Sequence, residues 1–187
     1  MQDYRIMKNI QMVDLKSQYN KIKNQIDTAV IQTIESTSFI NGPVVKDFSN
    51  SLAEYLDVKH VIPCANGTDA IQIALMALDL KPGDEIITTT FTFIATAEVI
   101  ALLQLTPVFV DVDPATFCIS PEAIKEKITP KTKVILPVHI YGQCSPMEKI
   151  LAVAKEFNLK VIEDTAQGIG STFTFTDGTK KFAGTIG

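Results

Sequence analysis

The chain has 187 residues, 46% apolar and 20% charged, enough to bury a core as one domain or as part of a larger one. A formal net charge of −4 offers no basic surface for nucleic-acid phosphates, and no window approaches the roughly 18 consecutive apolar residues of a membrane span. The three cysteines, 64, 118 and 144, form no C-x-x-C pair, which argues against a zinc site or a disulfide framework and fits a reducing, cytoplasmic setting.

Met1 to Asp14 is polar and mixed in charge, without the apolar stretch of a signal peptide. Ile22, Ile26, Val30 and Ile34 then recur every four residues, and Val45, Phe48, Leu52 and Tyr55 form a second stripe. Turn residues in Ser38-Phe39-Ile40-Asn41-Gly42-Pro43 separate the two. This pattern predicts a helical N-terminal extension over residues 1–57. From residue 58 the rhythm changes. Short β-rich runs at Val61–Pro63, Glu85–Thr89, Val108–Val112, Val134–Val138 and Val161–Glu163 alternate with helical stretches at Thr68–Leu80, Phe93–Leu105, Pro121–Ile128 and Met147–Phe157. Ser120-Pro121-Glu122 is a helix start, with a cap, a proline at the first position and an early acid. Such alternation predicts an α/β fold, a three-layer sheet with helices on both faces, over residues 58–187. Ser171–Phe175 and Lys181–Ala183, joined through Thr176-Asp177-Gly178-Thr179, predict a hairpin. Gly184-Thr185-Ile186-Gly187 follows with no covering helix, so the domain is expected to be incomplete at its C-terminus.

In an open parallel sheet ligands bind beyond the carboxyl ends of the strands, so the strand exits carry the chemistry. Ala65-Asn66-Gly67-Thr68-Asp69 runs straight into a helix: its amides suit a phosphate, or Asn66 or Thr68 simply caps the helix. Phe91 and Phe93 stand among threonines, where a ring can stack on a flat heterocycle or join the core. His139 has no partner at metal-ligand spacing, and a lone histidine there is more often structural. Glu163-Asp164 ends a strand, and a carboxylate so placed can pair with a protonated ring nitrogen or cap the next turn. A phosphate cradle, a stacking ring and a ring-nitrogen partner at one sheet edge are together what pyridoxal phosphate requires. Gly168-Ile169-Gly170 is a decoy: Phe173 stands where a dinucleotide fingerprint needs its third glycine.

These residues resemble the DegT-type sugar aminotransferases of the fold type I pyridoxal-phosphate superfamily. The likeness runs from about Gln11 to Gly187. It is carried by Val13-Asp14-Leu15, Phe39-Ile40-Asn41-Gly42-Pro43, Cys64-Ala65-Asn66-Gly67-Thr68-Asp69-Ala70, Phe91-Thr92-Phe93-Ile94-Ala95-Thr96, Asp111-Val112-Asp113, Pro137-Val138-His139-Ile140-Tyr141-Gly142-Gln143 and Glu163-Asp164-Thr165-Ala166-Gln167. The resemblance implies that Gly67, Thr68 and Asp69 bind the cofactor phosphate and that Phe93 stacks on its ring. It likewise implies that Asp164 pairs with the pyridine nitrogen, that Gln167 lies near the ring hydroxyl, and that His139 lies at the substrate side. It further implies transfer of an amino group from glutamate to a nucleotide-linked keto sugar, within a homodimer whose two subunits complete each site. The Asn-Gly-Thr-Asp-Ala and Ile-Tyr-Gly-Gln stretches look most like enzymes making 3-amino sugars for surface polysaccharide.

In the family pattern the lysine that forms the Schiff base follows the Gly-Thr-Ile-Gly stretch. It is therefore expected after Gly187, leaving no catalytic residue within these 187 and a piece inactive alone; Lys180 and Lys181 precede the expected position. Two other readings stand beside this one. One is a related keto-sugar dehydratase with histidine in place of that lysine, and the other is a non-catalytic binding or regulatory module.

Overall fold

A computed structural model describes residues 12–187; Gln11 and the part of the expected extension before Met12 lie outside them. The chain divides into two units, Met1–Ser51 and Leu52–Gly187.

In the first unit, helix α1 spans Leu15–Ser36. Asp14 caps it by accepting the Ser17 amide at 3.0 Å, and Thr37 ends it in the left-handed conformation at φ 52°. Ile22, Ile26, Val30 and Ile34 fall on this helix and stay 41–58% exposed. After the predicted break, α2 covers Pro43–Leu56 and runs across the division. Its first residue is proline, at a position where no amide is needed.

The second unit holds a parallel sheet of β1 (Glu85–Thr89), β2 (Thr106–Val110), β3 (Thr132–Ile135) and β4 (Lys160–Val161), in the order β2-β1-β3-β4. Successive residues of a strand face opposite sides, and here both sides are covered. Ile86 and Val134 pack with Ile71 and Leu75 of α3 (Gly67–Met76) and with Val99 and Ile100 of α4 (Ala95–Leu102). Their neighbours Ile87 and Ile135 pack on the other side. There they meet Ile124 of α5 (Pro121–Lys127) and Met147, Ile150 and Val153 of α6 (Met147–Phe157). The hand of the crossovers explains the layering. Passing from β1 to β2 moves one way across the sheet, while β2 to β3 and β3 to β4 move the other way. Right-handed connections must then place α4 on one face and α5 and α6 on the opposite one.

The expected hairpin is present as β5 (Thr172–Thr174) and β6 (Lys180–Phe182), antiparallel. Other expectations need correction. Val61–Pro63 forms no strand: a strand exists through its neighbour's hydrogen bonds, no described segment pairs with it, and Ile62 is 79% exposed. The helix expected to reach Leu105 stops at Leu102, because Gln104 adopts φ 59°, which a right-handed helix cannot continue. The strand expected over Val134–Val138 ends at Ile135. Pro137 has no amide to give, so beyond it the pairing survives as a single parallel bridge between Val138 and Asp164.

Candidate active site

Since the chain leaves β1 toward one edge and β3 toward the other, the sheet opens a crevice between their carboxyl ends. Asp164 sits at that edge, 8% exposed, beside β3 through its bridge to Val138. Thr96, buried in the first turn of α4, donates its hydroxyl to Asp164 Oδ2 at 2.9 Å, and the Ala166 amide donates to Oδ1 at 3.2 Å. Both donors are neutral, and no cation lies within ion-pair distance of Asp164 among the described residues. A carboxylate withdrawn from water with only neutral donors leaves room for a cationic partner.

The two candidate rings behave differently. Phe91 is engaged, stacked on Phe117 with centroids 5.3 Å apart and set edgewise to Tyr141 at 6.2 Å. Phe93, just before α4, is 74% exposed and presents a free ring. Phe91 is 39% exposed, so Phe93 is the more open of the two rings.

At the start of α3 the structure shows the helix cap. Asn66 caps the helix: its Oδ1 accepts the Asp69 amide at 2.9 Å and its Nδ2 donates to Asp69 Oδ2 at 3.1 Å. The amides of Gly67 and Thr68 have no partner among the described residues, and the space around Gly67 is open. Gly67 and Thr68 therefore suit an anion, whereas the Asp69 amide is already taken and its side chain carries negative charge. Helices α3 and α4 pack together on the face that Asp164 shares with Thr96. Gln167 is exposed, and its Oε1 accepts the Tyr141 amide at 2.7 Å, holding that residue at φ 54°.

The resemblance put His139 at the substrate side. It is fully buried, with both ring nitrogens engaged inside the protein. Nδ1 accepts the Ser145 amide at 3.0 Å, so the ring proton is on Nε2, which donates to Glu163 Oε2 at 2.8 Å. Sequence reasoning passed over Glu163, although its position directly before Asp164 in a strand end already sends the two side chains to opposite faces. Glu163 also accepts the amides of Gly184, Ile186 and Gly187. Burial pushes its pKa up, but the His139 N–H and these three amides outweigh it and hold the carboxyl below its ordinary value. Lys180 and Lys181 are exposed on the hairpin, opposite Thr174 and Phe173. Gly168-Ile169-Gly170 forms turns and opens no helix, unlike a dinucleotide loop.

The family model for DegT/DnrJ/EryC1/StrS aminotransferases matches residues 20–187. The chain belongs to this family. Among its relatives is UDP-2-acetamido-2-deoxy-3-oxo-D-glucuronate aminotransferase of Pseudomonas aeruginosa, 45% identical over 88% of this chain and 46% of the relative. A pleiotropic regulatory protein of Geobacillus stearothermophilus is 49% identical over 88% of this chain and 44% of its own length. Among solved structures, NtdA of Bacillus subtilis with bound cofactor PMP superposes with a TM-score of 0.84 at 40% identity, covering 90% of this chain and 39% of that one. The chain thus spans less than half the length of these relatives. Among the described residues no helix is long and apolar enough to cross a membrane, and no group of three His, Cys, Asp or Glu side chains could hold a metal ion.

Proposed function

We propose that this chain forms the cofactor-holding part of a pyridoxal-phosphate aminotransferase. In the whole protein, a homodimer, it moves an amino group from glutamate to a nucleotide-linked 3-keto sugar, for 3-amino sugars of surface polysaccharide. The observation that carries the reading is Asp164: a buried carboxylate at the switch point of the sheet, held by neutral donors and with no cation at ion-pair distance among the described residues. The residues present fit the group. The free amides of Gly67 and Thr68 suit its phosphate, the open Phe93 ring suits a heterocycle, and Asp164 suits a protonated ring nitrogen. The likeness to NtdA, solved with PMP, supports the cofactor, and the 3-oxo sugar in the Pseudomonas relative's name supports the substrate class.

When bound, pyridoxal phosphate supplies an electron sink for carbanion chemistry. The work of the chain is binding and orientation. Gly67 and Thr68 donate amides at the positive end of α3, with Asp69 at the edge of that turn. Phe93 covers one ring face and excludes water from it. Asp164 accepts the hydrogen bond of the ring nitrogen and keeps the proton there, while Thr96 fixes the carboxylate plane. Gln167 still has its side-chain amide group to offer the ring hydroxyl. His139 supports this edge from inside. Lys180 and Lys181 are exposed on the hairpin, so in this reading the lysine that attaches the cofactor belongs to the remainder of the whole protein, and the 187 residues are inactive alone. A cytoplasmic setting belongs to the same reading, supported by three free cysteines.

A regulatory, non-catalytic role is the second reading, favoured by the name of the Geobacillus relative. Titrating the chain with pyridoxamine 5′-phosphate, which cannot condense with lysines, separates the two. Saturable binding that Asp164→Ala weakens roughly thirtyfold supports the cofactor site. Absence of binding by the unaltered chain would sink it and leave the regulatory reading.

A further inference from the structure

Neighbouring carboxylates at the end of β4 point to opposite faces and have different work. Asp164 faces Thr96 of α4, whereas Glu163 faces the turn formed by Gly184–Gly187, whose Ile186 is buried in the α5/α6 layer. The Glu163 side chain is 3% exposed and accepts four hydrogen bonds. Oε1 takes the amides of Ile186 and Gly187, both at 2.6 Å; Oε2 takes the Gly184 amide at 2.9 Å and His139 Nε2 at 2.8 Å. Three backbone amides converging on one carboxylate form an anion-binding nest already filled by a side chain of the same chain.

The same turn also runs close to Thr165. Gly184 has φ +83°, and a Cβ there would stand 2.8 Å from Thr165 Oγ1, a buried hydroxyl with no hydrogen-bond partner among the described residues. Only glycine lets the backbone close over Thr165. The turn is therefore bound by Glu163 and passes close over Thr165, the residues flanking Asp164.

We infer that Glu163 is a positioning residue of the site: its carboxylate seats the Gly184–Gly187 turn and the His139 ring against the strand end that carries Asp164. The role of Asp164 rests on the function proposed above; the clamp does not. Glutamine cannot replace Glu163. Nδ1 of His139 must stay unprotonated to accept the Ser145 amide, so the ring proton remains on Nε2. A glutamine that kept its oxygen toward Ile186 and Gly187 would point its NH2 group at two further donors, Gly184 N–H and His139 Nε2–H. A tautomer change in His139 cannot relieve that clash.

The test compares the unaltered chain with Glu163→Gln by amide hydrogen exchange, by 15N shifts of the His139 ring and by affinity for pyridoxamine 5′-phosphate. In the unaltered chain the amides of Gly184, Ile186 and Gly187 are expected to exchange at least tenfold slower than in the unfolded chain, with His139 as the Nε2–H tautomer. In Glu163→Gln that protection should fall at least tenfold, the His139 signals should shift, and ligand Kd should rise several-fold although Asp164 is intact. Exchange at the unfolded rate in the unaltered chain overturns the clamp, even if the variant fails to fold. Released amides with an unchanged Kd overturn the positioning role. Failure of the unaltered chain to bind the ligand overturns the site reading, while the exchange data still decide the clamp.

Discussion

Thr96 and Asp164 lie 68 residues apart in sequence and share a 2.9 Å hydrogen bond in the interior, from the Thr96 hydroxyl to Asp164 Oδ2. The bond ties the helix after the first strand to the end of the fourth, across the crevice between β1 and β3. It also fixes which way the carboxylate faces before any ligand arrives.

Removing that carboxylate should therefore cost binding more than folding. Asp164→Ala is expected to weaken pyridoxamine 5′-phosphate binding by about 2 kcal/mol, the scale of a hydrogen bond to a charged group, or roughly thirtyfold in Kd. Thr96→Val keeps the shape, removes only the orienting donor and should cost about 1 kcal/mol. A fluorescence titration of both variants checks the order, and equal Kd values for Asp164→Ala and the unaltered chain would contradict it.

The two phenylalanines should separate by substitution. Phe93 is 74% exposed, so Phe93→Ala should leave urea stability within about 0.5 kcal/mol while losing about 1 kcal/mol of ligand affinity. Phe91→Ala disrupts stacking on Phe117 and should show the reverse balance, with stability falling more than affinity.

Acid should loosen the structure through Glu163. Its folded pKa lies below the ordinary 4.5, so its contribution is complete above pH 4.5 and is lost as pH falls through the lower folded value. The titratable groups facing it are His139 and Cys144, whose thiol is pushed up by burial and then by the Glu163 charge. Urea midpoints followed downward from pH 6 should drop below pH 4.5 in the unaltered chain and drop less in Glu163→Gln.

Truncation in the central strand tests the layering. Ile135 is fully buried in β3, and Ile135→Ala should destabilise the second unit by about 2–5 kcal/mol. Chemical denaturation measures it; a loss under about 0.5 kcal/mol would mean that the α5/α6 layer is not packed as described.

Borohydride reduction of the chain soaked in pyridoxal phosphate should give scattered, partial labelling. Lys180 and Lys181 are exposed on the hairpin and are no more favoured than other surface lysines. Mass spectrometry finding one fully labelled lysine would move the attachment point into this chain.

The sequence alone determined what depends on local chemistry and repeat period. The alternation of β-rich runs with helical stripes set the three-layer plan, Ser120 and Pro121 marked the start of α5, and the Asp-Gly turn marked the hairpin. Asn66-Gly67-Thr68 at a helix start and the Glu163-Asp164 pair at a strand end were legible because such positions follow from the order of elements. Tertiary structure decided everything that needs a partner distant in sequence. Val61–Pro63 has strand residues but no ladder, and Pro137 interrupts one that the pattern continued. Phe91 and Phe93 look alike in sequence, and only packing shows that one is stacked and the other open. The residues alone made a lone histidine at a strand exit more often structural, and only the resemblance put His139 at the substrate side; in the fold Ser145 and Glu163 engage both ring nitrogens. Hydrogen bonds between residues tens of positions apart leave no local periodicity, so the sequence could nominate these side chains while only the folded chain assigned their partners.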